Sequence, residues 1–211
     1  MSNSLQVETI ANSFNTTGQN DTKPFEVPER EFLSNLLELF ESSRLSDVTL
    51  CVNDRQFSAH KVILAAHSPV FAAMFEDERN NNNRVEITGM DNEVLQEMLK
   101  FIYTGELSNL EKMAFNLIKA AVKYQLKTLE VVCEEWILSE LSLTTAAEFL
   151  ILADKYNAAQ LKARVMDFIV AHATEVIGTK GWKTMMIKQP NLLSQASRAI
   201  TIRHKPSNNL P

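Results

Sequence analysis

The residues of this chain best equipped to hold a metal, attack a carbonyl or pass a proton are His60, His67, His172, His204, Cys51 and Cys133. Their spacing builds none of those devices. Zinc ligands come in short pairs such as Cys-x-x-Cys or His-x-x-x-His, and neither pair occurs. Cys51 falls in a strand pattern and Cys133 in a helical one, where a thiol behaves as a small inert apolar group. His60 sits between a strand and a helix and reads as a structural histidine held by hydrogen bonds. Five glycines in the whole chain form no phosphate-cradling loop. No Ser, His and Asp fall into a recognisable triad motif. The expectation is a non-catalytic protein–protein interaction module without metal or cofactor.

Composition narrows the partners. The 211 residues are 45% hydrophobic and 22% charged, enough apolar material for one larger domain or two small ones. The net charge is −5, and basic residues do not interleave with aromatics, so neither nucleic acid nor membrane is expected as a partner. The opening MSNSLQVETIANSF lacks the charged-then-apolar pattern of a secretory leader. Two cysteines far apart in sequence do not suggest a disulfide scaffold. A reducing compartment, nucleus or cytoplasm or both, is the expected location.

The elements follow from periodicity. Residues 1–28 read as a lead-in, with one marginal strand through Leu5, Val7 and Thr9. Glu29 to Ser43 reads as a helix: Phe32, Leu36, Leu39 and Phe40 recur at helical spacing, with Leu33 and Leu37 beside them. That apolar surface is wider than one core-facing stripe requires, and either core burial or a dimer seam of Phe32, Leu36 and Leu39 accounts for it. Val48, Leu50 and Val52 alternate with Thr49 and Cys51 as a half-buried strand. Asn53-Asp54 turns the chain into a second strand, Arg55 to Ser58, with Phe57 inward.

Two short helices come next, Ala59 to Ala66 and Ser68 to Phe75, the latter with Ser68 as cap and Pro69 at its first position. The run Asn80–Asn83 favours a loop, Val85–Ile87 a short strand, and Asp91 to Tyr103 a helix stopped at Gly105. Ser108 and Glu111 have the spacing of a capping box for the next helix. Helices then continue at Thr128 to Glu140, at a pair, Leu143 to Tyr156 and Ala158 to His172, joined at Asn157, and at Leu192 to Ile202. Short strands mixed with helices, then helices alone, describe an α+β unit with an all-α extension.

Particular residues carry a resemblance. Asp47, His60-Lys61, Leu64-Ala65, Ser68, Phe71, Met74-Phe75 and the run FIYTG at 101–105 resemble the signature of a BTB/POZ domain. The stretches HKVILAAHSPVFAAMFE, RVEI, FIYTGEL, KYQL, AAEFLILAD, DFIVAHATEV and GWKTMM are similar to the speckle-type POZ protein family, from about Val27 to Ile202. The resemblance implies a BTB/POZ fold, a short sheet flanked by helices, over 29–140. It implies a BACK-like helical extension over 141–202 and a disordered tail over 203–211. Residues 1–28 resemble the linker after that family's substrate-binding MATH domain, for which this sequence has no room.

The resemblance also implies a role. Such proteins are dimeric adaptors that join cullin-3 to a substrate for ubiquitination and proteasomal degradation. Carried over by position, Phe32, Leu36, Leu39 and Ile63 match apolar dimer residues, and Asp47 and Lys61 match a charged pair near the dimer interface. Met74, Phe75, Glu78, Tyr103 and Tyr124 fall where cullin contacts are expected. The hydrophobic-x-Glu motif of cullin binders is replaced here by Glu78-Arg79-Asn80-Asn81, and Ser197 stands where the close family has a tyrosine in a second self-association surface. The expected partners are therefore a second copy or a related BTB protein, cullin-3, and an unidentified substrate. The alternative is a ligase-deficient dimerisation protein that pairs with full-length relatives and modulates them, or acts in transcriptional regulatory complexes.

Overall fold

The computed structural model describes residues 29–76 and 83–203. The lead-in over 1–28, Glu78, Asn80 to Asn82 and the tail from His204 lie outside the described residues. The chain divides into two compact units after Phe32. Of the first, only Glu29–Phe32, the opening turn of a helix, is described; the rest of the described chain belongs to the second.

That helix, α1, is Glu29–Ser42. A hairpin comes after it, β1 Val48–Val52 and β2 Arg55–Ala59, antiparallel in the register Val48↔Ala59 to Val52↔Arg55. The intervening pair Asn53-Asp54 turns with Asn53 at φ 49°, a left-handed conformation that Asn tolerates well. The chain continues through α2, Lys61–His67, and α3, Pro69–Glu76. It returns as β3, Arg84–Glu86, parallel to β1 with Leu50 opposite Val85. Parallel pairing requires a long crossover, which β2, α2 and α3 supply. The strand order is β2-β1-β3.

Being central changes β1. Alternation predicts a half-buried strand, yet Cys51 is as buried as Val48, Leu50 and Val52, and only Thr49 is partly open. Cys is small and apolar enough to be covered on its own face, which a polar/apolar alternation does not register.

The rest is helical: α4 Asn92–Thr104, α5 Leu110–Tyr124, α6 Lys127–Ser139, α7 Ala146–Lys155, α8 Ala159–Ala171, α9 Ala173–Ile177, α10 Lys180–Lys188 and α11 Pro190–Arg203. Val94, Leu95, Met98, Leu99 and Ile102 are buried along α4. Gly105 ends that helix at φ 72°, its N–H donating to the Phe101 carbonyl; the left-handed cap is costly for any residue with a Cβ. Asn157, at φ 56°, turns α7 into α8. One apolar cluster runs without a break from Val48 to Ala196, so the extension after residue 140 shares the core of the sheet-bearing part.

The capping box at Ser108 is not formed. The helix begins at Leu110 with Asn109 at the N-cap position, one residue later than expected. The N–H groups of Ser108 and Asn109 donate instead to Glu97 Oε1, the latter at 3.0 Å. The Ser108 hydroxyl accepts from Lys100 Nζ at 2.6 Å. A buried carboxylate from α4 thus occupies the helix N-terminus, a favourable place for negative charge, and the local Ser/Glu pair is displaced by a tertiary one.

Glu134 does the same work for α8. Its buried carboxylate accepts the Leu161 N–H at 3.1 Å. Burial pushes its pKa up, with Glu130 adding to the rise, while the Leu161 N–H, Arg164 and Lys127 oppose it. A carboxyl that holds its proton more tightly folded than unfolded contributes stability on the acid side. That contribution is lost as pH rises through the folded pKa. Glu134→Gln keeps an oxygen for Leu161 and removes the charge. It should leave stability unchanged or raise it by up to about 1 kcal/mol at neutral pH. Urea titrations of both proteins at about pH 5 and about pH 7.5 should show the gap closing toward the acid side.

Candidate interaction surface

The apolar face of α1 has one edge on the core and one edge open. Leu36 and Phe40 pack against the cluster, and Phe40 lies with its ring 5.0 Å from that of Tyr103. Leu36 and Leu39 remain half-buried and Leu33 is exposed. Leu45, just after the helix, is 81% exposed, and Val62 on α2 is 74% exposed. Ile63 is half-buried against the core. Phe32 lies on α1, but its side chain is outside the described residues. Periodicity on α1 alone could not find Leu45 and Val62, which belong to a turn and to another helix. A possible signal was the apolar run VILAA, in which Leu64 is buried and Val62 is not.

The turn that ends α1 is strained and pinned. Ser43 and Leu45 have φ of 54° and 62°, uncommon for residues with a side chain. Between them, the Arg44 carbonyl lies 2.8 Å from His60 Nε2. A carbonyl only accepts, so Nε2 carries the proton and Nδ1 is the acceptor. The other end of the ring then fits: Nδ1 is 2.6 Å from the Tyr103 hydroxyl, which donates to it and accepts the His60 backbone N–H at 2.9 Å. His60 is thereby committed at all three groups and ties α4 to the end of α1. Burial pushes the Tyr103 phenol up to about 12, despite the opposing His60 backbone bond. Tyr103→Phe strands two buried polar groups of His60, and an unsatisfied buried group costs about 1–3 kcal/mol. Urea denaturation should find a loss in that range with the fold retained.

Asp47 and Lys61 meet, though not as two opposed charged side chains. Asp47 Oδ1 accepts the Lys61 backbone N–H at 2.7 Å at the start of α2, while Lys61 Nζ donates to Asn83 Oδ1 at 2.6 Å. Asp47 thus supplies the cap that His60, at the N-cap position, does not.

The positions expected to contact cullin separate into two groups. Met74 and Phe75 are half-buried on α3; Glu78 is outside the described residues. Tyr103 and Tyr124 are each 1% exposed, which corrects their assignment as contact surface: both are core residues. Tyr124 stacks on Phe71 at 4.6 Å, and Phe71 on Phe75 at 5.9 Å. Ser68 joins the same cluster, its hydroxyl donating to the Tyr124 carbonyl at 2.6 Å and accepting the Phe71 N–H at 3.0 Å. A tyrosine at the end of a helical pattern carries no signal that distinguishes a wet hydroxyl from a buried one.

Neither cysteine is placed for chemistry. Cys51 and Cys133 are free and buried, and burial pushes the Cys133 thiol up to about 12. Among the described residues no three His, Cys, Asp or Glu side chains lie together as metal ligands, and no helix is long and apolar enough to cross a membrane.

The α1 turn and α2 each carry an open aliphatic side chain, Leu45 and Val62. The BTB/POZ domain family model matches residues 36–141, half of the chain, from the middle of α1 to just past α6. The chain belongs to the BTB/POZ domain family. Among solved structures it is similar to the BTB domain of zebrafish PATZ1, at 26% identity and a TM-score of 0.48, over 56% of this chain and 99% of that one. BTB/POZ domains are protein–protein interaction modules that dimerise and bind partners. The small sheet flanked by helices, with a helical C-terminal region after it, is the BTB fold the sequence led us to expect.

Proposed function

We propose that this BTB/POZ protein is a speckle-type POZ-like dimeric adaptor of a cullin-3 ubiquitin ligase, acting in nucleus or cytoplasm on a substrate yet to be found. The observation that carries the dimer is the aliphatic band of Leu33, Leu39, Leu45 and Val62, exposed or half-exposed in a single protomer. On this reading they form one apolar surface, the kind that marks a site covered by another protein. Support for the finer family comes from the run HKVILAAHSPVFAAMFE and its companions downstream. On this reading the BTB/POZ domain occupies 29–140 and a BACK-like extension 141–202. Met74 and Phe75 on α3 are the cullin-facing residues that keep some exposure.

A second reading is favoured by the burial of Tyr103 and Tyr124 and by Glu78-Arg79-Asn80-Asn81 in place of hydrophobic-x-Glu. Together these thin the cullin surface to α3. The protein is then a dimerisation partner that pairs with full-length relatives and restrains them, or works in transcriptional complexes.

Calorimetric titration of the folded protein with the N-terminal domain of cullin-3 separates the two. Submicromolar, saturable binding supports the adaptor. Absence of heat from a dimer of correct mass sinks it and leaves the second reading.

A further inference from the structure

The C-terminal end of the chain has a charge of its own. From Ala173 to Arg203 one carboxylate side chain, Glu175, stands against Lys180, Lys183, Lys188, Arg198 and Arg203, in a chain whose net charge is −5. The three lysines belong to α10, a nine-residue helix without an acidic residue.

The two faces of α10 differ sharply. Gly181, Trp182 and Met185 point inward: Trp182 and Met185 are buried, and a Cβ at Gly181 would lie 3.4 Å from Ala147 Cβ. Opposite them, Lys180, Lys183 and Ile187 fall at i, i+3 and i+7, one stripe of a helix, with Met186 at its flank. Ile187 is 82% exposed and Met186 51%. All three lysines of the helix are exposed, and no ion pair among the described residues uses them. The helix is firmly held, its N-terminus capped by Thr179, whose hydroxyl accepts the Trp182 N–H at 3.2 Å. A pre-organised face of this kind loses little entropy on binding.

We propose that the outer face of α10 docks an acidic segment of a partner protein whose carboxylates adjoin an aliphatic side chain. The carboxylates meet Lys180 and Lys183, and the aliphatic group covers Ile187 and Met186, a methionine being adaptable to an uneven contact. Charge complementarity selects this occupant. A nucleic-acid backbone has no use for an exposed isoleucine one turn beyond Lys183, and α10 offers no exposed aromatic on which a base could stack. A membrane surface demands a continuous apolar face, whereas the larger apolar residues of α10, Trp182 and Met185, are committed to the core. No residue of the α1 surface enters this inference, which stands whether or not cullin-3 binds.

The test uses the full chain and a fluorescein-labelled synthetic peptide of repeated Glu-Glu-Leu-Leu, monitored by anisotropy. Saturable binding that weakens with salt is expected. Lys183→Glu and Ile187→Ser should each weaken it about tenfold. Both side chains face solvent, so circular dichroism and the urea midpoint should be unchanged, which separates lost binding from lost folding. Several results would overturn the proposal: no saturation, equal affinity in both variants, or equal affinity for polyglutamate of the same length. So would tighter binding to phosphatidylserine vesicles or to a single-stranded oligonucleotide. A mass that falls on Ile187→Ser in sedimentation would assign the face to a second copy of this chain instead.

Discussion

Leu36→Asp in α1 is expected to turn a dimer into a monomer. Leu36 lies half-buried between the core and the open aliphatic band, so a second copy seated on that band would close over it. An unpaired carboxylate in a dry interface costs several kcal/mol, and each 1.4 kcal/mol is about a tenfold loss in affinity. Association should weaken by about a hundredfold or more, enough to dissociate the protein at micromolar concentration. Because Leu36 also touches its own core, Val62→Glu is the companion variant. Val62 is 74% exposed on α2 and lies outside the apolar core cluster of the described residues. Sedimentation velocity on the native protein and both variants decides the matter. Dimeric mass in both variants, with folded spectra, would place the interface elsewhere.

Phe71→Ala should produce the largest loss of stability. Phe71 has no exposed surface and lies between the rings of Phe75 and Tyr124 at small interplanar angles, 10° and 15°. Removing a buried phenyl ring costs about 3–5 kcal/mol in transfer and cavity terms, part of it the stacking itself. Phe75→Ala removes a half-buried ring at the edge of the same stack and should cost clearly less. Urea unfolding of the two variants gives the comparison directly. A Phe71→Ala loss below about 1 kcal/mol would mean that the stack is not part of the cooperative core. The same variant should loosen α3, whose N-terminal cap passes through Ser68 to the Tyr124 carbonyl. If Met74 and Phe75 contact cullin-3, binding should fall with it.

Ser68 and Tyr124 also show how far residue patterns reach. The sequence by itself determined the order of elements: the hairpin at Asn53-Asp54, the cap at Ser68 before Pro69, the helix of Asp91 to Tyr103 stopped by Gly105, and the pair of helices turned at Asn157. Each rests on a short-range cause: a period, a cap, a residue that tolerates positive φ. It determined the signature run from Asp47 to Phe75 for the same reason, since that run is one hairpin and two short helices in continuous chain.

What depended on residues far apart in sequence was decided only by the tertiary structure. His60 and Tyr103 are bonded across 43 positions, and no local rule pairs them. Glu97 replaced Ser108 as the partner of a helix N-terminus because a carboxylate from a neighbouring helix reached those N–H groups. Tyr103 and Tyr124 passed from candidate surface to core because the neighbours that cover them come from other elements; a helical period shows that a residue faces something, not whether that something is protein or water. Leu45 and Val62 went the other way. Both are apolar in sequence, and only packing reveals that none of the described residues buries them.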